Sequence, residues 1–550
     1  MSPTRPAETK LGWLTRWLVA AGSFAVLAAI AAVAVLRGSR ADFGLWWLGA
    51  GAACLAAAGL WRIAGRRALA VWRSWRLPKW VAPAAIFLMF FAVKAVFALR
   101  WKTQQRSDFL TMYQAAEAIL RGDHSFTELA YWHFFAYQTP FAIYEAVMLK
   151  LFGGSIIPLL IVGALAMAGT NFLVYLFARR LTGSAVAGLF AGCLYLAYPG
   201  PYLEANVLTN DHLSAFLLIL GAYLVLCGVG RITSRTTRGG SPAAGSASGG
   251  SGRGLRKGRW AGWALVVLGG LVLELGNLAR PAGIVVCVAL AATSVVWPVM
   301  RRHAGQSWRP LGLSVAAALA ALAVYALVGV GANLVVKASG INPEGSANNL
   351  PEWKFVLGLQ PPEGSDYGSI GAYAPTPNPE ARKIARELLK QSLRRLPDSW
   401  PHVVDRQSSL LWARQDTSTF QFWPQYGPSY KTVADYYAIP DKHLFTVAHY
   451  SVLLERGVFL PAVLLAAAGV FALNRDRRWS RLAVFLALFV SAYALVHLAI
   501  EVQPRYRYLA MPAIFALTGP AWSWLTGERR RLGQGPPKKR RAATLAPPSA

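Results

Sequence analysis

The sequence predicts an all-α, polytopic membrane protein with about twelve transmembrane helices, juxtamembrane helices on its outer face and a small extracytoplasmic domain. Three observations carry this. Hydrophobic residues fill 55% of the 550 positions, too many for a soluble chain of this length. Several apolar runs, Leu18 to Leu36 and Val81 to Leu99 among them, reach the roughly 20 residues a helix needs to cross hydrocarbon, where a backbone must satisfy its own hydrogen bonds. Finally, the charges are sorted along the chain.

The net charge is +31, and the bases behind it sit in short clusters between apolar runs: Arg62 to Lys79, Arg179-Arg180, Arg231 to Arg259, Arg301-Arg302, Arg475 to Arg481 and Arg529 to Arg541. Acids are almost absent there, Asp476 and Glu528 being the exceptions, and this bias assigns the clusters to the cytoplasm. A nucleic-acid partner would instead require a folded basic face with base-reading or stacking groups, so that class is set aside. The acids have the opposite preference. Asp108, Glu117, Asp123, Glu128, Glu145, Glu204, Asp211, Glu501 and most acids of 338–443 fall on the outer side. Groups able to do acid/base work are therefore outside, and no GxxxxGK[ST] motif cradles a nucleotide phosphate inside. Cys54, Cys193, Cys227 and Cys287 all lie in apolar runs and read as small apolar helix residues rather than as disulfides or metal ligands.

From a cytoplasmic N-terminus read as an uncleaved anchor, helices are expected at 17–36 and 44–62, making residues 1–79 an N-terminal unit with a basic cytoplasmic loop. A core over 80–337 follows, with spans 80–99, 157–178, 184–199, 207–228, 260–278, 282–299 and 309–337. It encloses a first outer loop, 100–156, and a Gly/Ser/Arg-rich cytoplasmic linker, 229–259. Residues 338–443 form the extracytoplasmic domain; spans 445–472, 482–499 and 507–525 complete the 444–525 unit, and 526–550 is a basic cytoplasmic tail. In the outer loop, SDFLTMYQAAEAILR places Phe109, Met112, Ala116, Ile119 and Leu120 at helical spacing behind a Ser107 cap, an amphipathic helix along the membrane surface. Phe134 to Phe152, interrupted by Gln138, Pro140, Glu145 and Lys150, reads as a surface or re-entrant helix, because counting it as a span would put Arg179-Arg180 outside. Asp108, where span 80–99 emerges, is positioned as a general base or, more plainly, as an acid favoured at a helix N-terminus.

The order of motifs is more telling than any one of them. An outward helix leads to SDF and an amphipathic helix ending in RGD, then YQTPFAIYEAVMLKLFG, FARRLTG, LYLAYPGPYLEANVLTNDHLSAFLLILGAYLVL, GNLARPAG and EVQPRYRYLAMP. Over residues 80–525 this resembles the GT-C fold of polyprenyl-phosphate-sugar-dependent glycosyltransferases, the superfamily of protein O-mannosyltransferases and the lipid A aminoarabinose transferase, and in particular its bacterial members. The EWKFVLGLQPPEGSDYGSIG segment is similar to an outer-domain segment of those members. Two features depart from the pattern: Phe109 stands after the aspartate where the mannosyltransferases have a second acid, and two extra helices precede the core.

The resemblance implies a membrane enzyme that moves a sugar from a polyprenyl-phosphate donor to an acceptor hydroxyl on a glycan, lipid or protein, outside the cytoplasmic membrane and with inversion. It implies Asp108 as catalytic base, Asp211 as the acid at the start of the fourth core helix, and Arg280, Arg505 and Arg507 as basic positions near the lipid phosphate. Physical chemistry asks for the same groups, since a departing phosphate needs fixed positive charge and guanidinium binds it bidentately. Ion pairing with outer acids such as Glu501 is the alternative role for the arginines. Tyr113 and Gln138 are placed to line the sugar pocket, although interfacial aromatics are ordinarily anchors. Asp211 beside His212 is a weak metal pair, so no metal site is assigned, no cofactor is certain, and a divalent cation is left open. Trp353, Tyr367, Trp412 and Trp423 of the outer domain would cover the site or bind the acceptor. A lipid-linked sugar flippase or transporter, or a non-catalytic partner in cell-envelope glycan assembly, is the rival reading. Transporters often show repeated halves and charge at mid-membrane depth, whereas here no repeat is visible and the acids sit at helix ends.

Overall fold

A computed structural model of the chain describes residues 9–37, 59, 78, 80–100, 105, 107–233, 251–302, 307–359, 381–413 and 441–527. Among these the regular structure is helical: α1 (Lys10–Leu36), α2 (Val81–Arg100), α3 (Ser107–Leu120), α4 (Thr139–Leu151), α5 (Ile157–Thr182), α6 (Ala185–Ala197), α7 (Asp211–Thr233), α8 (Ser251–Ala279), α9 (Gly283–Met300), α10 (Arg309–Ala338), α11 (Pro351–Leu359), α12 (Ala381–Ser408), α13 (Asp441–Arg475), α14 (Arg481–Val496) and α15 (Met511–Leu525). Among the described residues eight helices are long and apolar enough to cross a membrane, namely α1, α2, α5, α7, α9, α10 and the Gly258–Ala279 and Leu454–Arg475 parts of α8 and α13; α6 and α14 are shorter apolar helices. This is the architecture of an all-α, multi-pass membrane protein. The expected span 44–62, the basic loop 62–79, most of the tail, Tyr367 and Trp423 lie outside the described residues.

Several boundaries differ from expectation. Helix α7 runs on to Thr233 and α8 begins at Ser251, both inside the stretch 229–259 read as a linker. Hydropathy registers only the lipid-facing part of a helix, whereas arginine and lysine are good helix formers and carry the hydrogen-bond ladder past the apolar run. Helix α7 also starts at Asp211 rather than 207, where the Asp211 amide donates to the Thr209 hydroxyl at 3.1 Å.

Helices α7 and α8 pack backbone to backbone along glycines spaced by seven residues. A Cβ on Gly221 would meet the Leu273 amide nitrogen at 2.8 Å and the Gly269 carbonyl at 2.9 Å; on Gly228, the Gly262 carbonyl at 2.6 Å; on Gly276, the Leu218 amide nitrogen at 2.9 Å. Without side chains on that stripe the two helices approach as small-residue faces do in lipid, where close van der Waals contact replaces the hydrophobic drive. The start of α7 is thereby held against the end of α8.

Polar contacts divide the molecule into two ends. At one, the Thr9 hydroxyl donates to the Arg302 carbonyl at 3.2 Å, and Arg481 at the head of α14 donates to Thr233 at the tail of α7. The other gathers the end of α2, the starts of α3, α4 and α7, and a 3₁₀ turn, Pro504–Leu509, between α14 and α15. Here Gln105 accepts from the Leu208 amide at 2.8 Å, and Asn342 donates to the Thr139 hydroxyl at 2.9 Å. The amphipathic α3 buries Phe109, Met112, Ala115 and Ala116 against α4 and its neighbours. Helix α4 has 13 residues, too few to span. Helices α11 and α12 pack on one another around Trp353 and Ala385. Gln407 donates to the Gly358 and Ile500 carbonyls at 2.8 and 2.9 Å, and the Glu501 amide to the Lys354 carbonyl at 2.8 Å, which fastens these helices to the loop before the 3₁₀ turn.

Candidate active site

At that second end, charged residues from segments far apart in sequence converge. Asp108, in the first turn of α3, has a carboxylate oxygen 3.5 Å from the Arg505 guanidinium, with side-chain exposures of 40% and 10%. The Arg505 guanidinium also lies over the Phe109 ring, 5.2 Å from its centroid, which gives the arginine an apolar wall and cation–π contact. Arg280, just past α8, pairs with Asp211 at the head of α7, the contact that the glycine stripe prepares. Arg280 and Arg505 flank the same ring, lying 4.7 and 5.9 Å from the Tyr506 centroid. Asn210 donates to Gln138 at 3.1 Å and to the Ala279 carbonyl at 3.0 Å, tying Gln138 to the Asp211–Arg280 side. Asp108, Asp211, Arg280, Arg505 and Gln138 thus share one locality.

Glu501 pairs with Lys354 of α11, not with an arginine, and accepts from Gln503 at 3.2 Å. Burial by itself raises this carboxyl, but the Lys354 ammonium, the Lys354 and Gln503 hydrogen bonds and the nearby Arg505 outweigh it and hold it below its ordinary value. Burial likewise pushes the Tyr137 hydroxyl up to about 12 against the opposing pull of Lys354, and raises Tyr131, which feels the Asp108 and Arg505 charges. Both phenols stay neutral at physiological pH. Lys354, Tyr131, Tyr137 and Tyr506 were not singled out from the sequence. Only Lys354 carried a signal there, as a base among the outer acids.

The remaining candidates sit differently. Arg507 is two residues beyond Arg505, yet it pairs with Glu455 of α13 at side-chain exposures of 4% and 2%, donating also to the Tyr198 hydroxyl at 3.1 Å and the Leu411 carbonyl at 3.5 Å. Tyr113 packs against the apolar cluster of Ala98, Ala116 and Leu159. Trp353 and Trp412, expected to cover the site or take the acceptor, are 2% and 4% exposed and belong to the packing. Asp211 and His212 diverge: one His212 ring nitrogen lies 2.9 Å from the Tyr508 hydroxyl and the other 3.1 Å from the Glu204 carbonyl. Among the described residues no three His, Cys, Asp or Glu side chains are grouped to hold a metal ion.

Chemically, the cluster offers a partly exposed carboxylate beside two guanidinium groups bracketing an aromatic ring. That set can accept a proton on one side and hold an anion on the other.

No family model and no curated protein matches this chain. Among solved structures it is similar to the oligosaccharyltransferase of the archaeon Archaeoglobus fulgidus in its apo form, at 13% identity and a TM-score of 0.41, over 84% of this chain and 52% of that one. The same enzyme in complex with an inhibitory peptide and a dolichol-phosphate gives 13% and 0.39 over 83% and 51%. Its form tethered to an acceptor peptide containing the NVT sequon gives 13% and 0.42 over 84% and 51%. The chain spans about half the length of these structures.

Proposed function

We propose that this chain is a membrane glycosyltransferase that moves one sugar from a polyprenyl-phosphate donor to an acceptor hydroxyl at the outer face of the cytoplasmic membrane. The observation that carries the proposal is the convergence of Asp108, Asp211, Arg280 and Arg505 at one end of the helical bundle, from four separate stretches of sequence.

The lipid tail lies among the helices and the phosphate near Arg280 and Arg505. Asp108 takes the proton of the acceptor hydroxyl as its oxygen forms a bond to the anomeric carbon. The carbon–phosphate-oxygen bond breaks on the opposite face and its electron pair leaves with the phosphate, which inverts the centre. The arginines meet charge that grows on the leaving group, the stage at which fixed positive charge accelerates the step. Tyr131 and Tyr137 supply neutral hydroxyl donors beside the sugar. In this reading Asp211 and Glu501 hold Arg280 and Lys354 in place before the donor arrives.

Asp108→Asn keeps the shape of the side chain and removes the base. Transfer from radiolabelled polyprenyl-phosphate sugars should fall by about 10²- to 10⁴-fold, the usual contribution of a positioned base. Expression and membrane insertion should be unchanged. Wild-type transfer in that variant would end the base assignment, and labelling of an Asp108→Cys variant by membrane-impermeant thiol reagents from the cytoplasmic side alone would end the outer-face assignment.

A further inference from the structure

At the opposite end of the bundle the structure holds a second charged locality, which the glycosyl-transfer reading does not use. Helix α7 separates the two, 23 residues and roughly 34 Å long at 1.5 Å per residue. A cavity of about 600 Å³ opens there between the ends of α5, α7, α9 and α14, lined by Arg180, Arg231, Arg301 and Arg481 together with Tyr223 and Trp297. No carboxylate lines it among the described residues. Arg180 donates to the Cys227 thiol at 2.9 Å and lies 4.7 Å from the Tyr223 ring centroid. Arg481 donates to the Thr233 hydroxyl and lies 3.8 Å from the Trp297 centroid. Both guanidiniums are therefore oriented by neutral neighbours.

Helix dipoles account for part of this. Arg180 and Arg231 stand in the last turns of α5 and α7, where a cation is favoured. Arg481 is the opposite case. It occupies the first turn of α14, where the helix dipole disfavours a cation and favours an anion. Its buried Nε has no hydrogen-bond partner among the described residues. Like charges on Arg180, Arg301 and Arg481 round one cavity repel within a Debye length, and a bound anion would relieve them.

We propose that this cavity binds a phosphate group, held by Arg481, Arg180 and Arg301 as bidentate donors. Its volume is within the range of small-ligand sites, and basic pockets between membrane helices take lipid headgroups, so an anionic phospholipid is one source and a soluble phosphate the other.

The test uses the full-length protein purified in detergent, with thermal unfolding midpoint and native mass spectrometry as readouts. The probes are phosphatidylglycerol, phosphatidylcholine and inorganic phosphate. Phosphatidylglycerol should raise the midpoint at concentrations where phosphatidylcholine does not, and should be retained in the spectrum; a matching shift by inorganic phosphate alone supports the site and names the soluble source. Arg180→Gln and Arg481→Gln should each weaken binding about tenfold, while Arg179→Gln, which removes the same charge one residue outside the cavity, should not. Should Arg481→Gln fail to fold, Arg180→Gln, which alters an exposed side chain, carries the test. Equal shifts from both lipids with none from phosphate would overturn the proposal, as would an Arg179→Gln effect as large as that of Arg180→Gln, since that would reduce the site to diffuse positive charge.

Discussion

Arg507 is the residue whose sequence context and environment disagree most, and a mutant cycle separates the two. The family resemblance implies a place for it beside Arg505 in QPRYRY, near a lipid phosphate. The structure pairs it with Glu455 at 4% and 2% side-chain exposure, so both charges are out of water and each depends on the other. Removing one member of such a pair leaves an uncompensated buried charge and costs about 3–5 kcal/mol. Arg507→Met should therefore destabilise the protein by about 4 kcal/mol, or about 8 °C in midpoint at the roughly 2 °C per kcal/mol of larger chains. Glu455→Leu should do much the same. The double variant Arg507→Met/Glu455→Leu should recover to within about 2 kcal/mol of wild type, because an apolar pair of similar volume removes the stranded charge. The residue of the loss belongs to the Tyr198 hydroxyl, which gives up its contacts with both partners, at 3.1 and 3.3 Å. The assay is the unfolding midpoint in detergent, with sugar transfer measured at a temperature where every variant is folded. Unchanged stability with abolished transfer in Arg507→Met would refute the argument, and would place that guanidinium on the substrate.

Three further outcomes are expected. Glu501 is held below its ordinary carboxyl value of 4.5, so its contribution to stability is present above that pH and is lost as pH falls through the depressed folded value; midpoints measured from pH 7 down to below 4.5 should fall less steeply in Glu501→Gln than in wild type, and parallel curves would contradict the pairing with Lys354. Gly269→Val places its first carbon 2.9 Å from the Gly221 carbonyl and the Val225 amide nitrogen, so it should cost about 3 kcal/mol by forcing α7 and α8 apart, read from the midpoint, and should reduce transfer at permissive temperature by shifting Asp211 against Arg280. Arg280→Lys keeps the charge but not the planar fork; donor binding should weaken about tenfold in a KM measurement with folding intact, and an unaltered KM would remove Arg280 from the phosphate.

Several of these tests turn on residues that sequence alone could place only in part. Phe109, Met112 and Ala116 at helical spacing were enough to place α3. The short α4 was legible too, because Gln138, Pro140, Glu145 and Lys150 interrupt its apolar run. Pairing of Asp211 with an arginine was within reach of the sequence and is met by Arg280, but which partner each other charge takes was not legible. Glu501 was offered to the arginines and instead meets Lys354, which arrives from α11, 147 positions earlier.

The physical reason lies in what each property depends on. Transfer of side chains between water and hydrocarbon is a local quantity, additive along a helix, so composition and periodicity determined by themselves that this chain is helical, with several helices long and apolar enough to cross a membrane. A charge pair depends on the angle and depth at which two helices meet. Here backbone contact along Gly221, Gly228, Gly262, Gly269 and Gly276 brings the head of α7 to the end of α8. Only that tertiary approach decided that Asp211 faces Arg280, that Arg505 turns to Asp108, and that Arg507, two residues on, is spent inside the protein on Glu455.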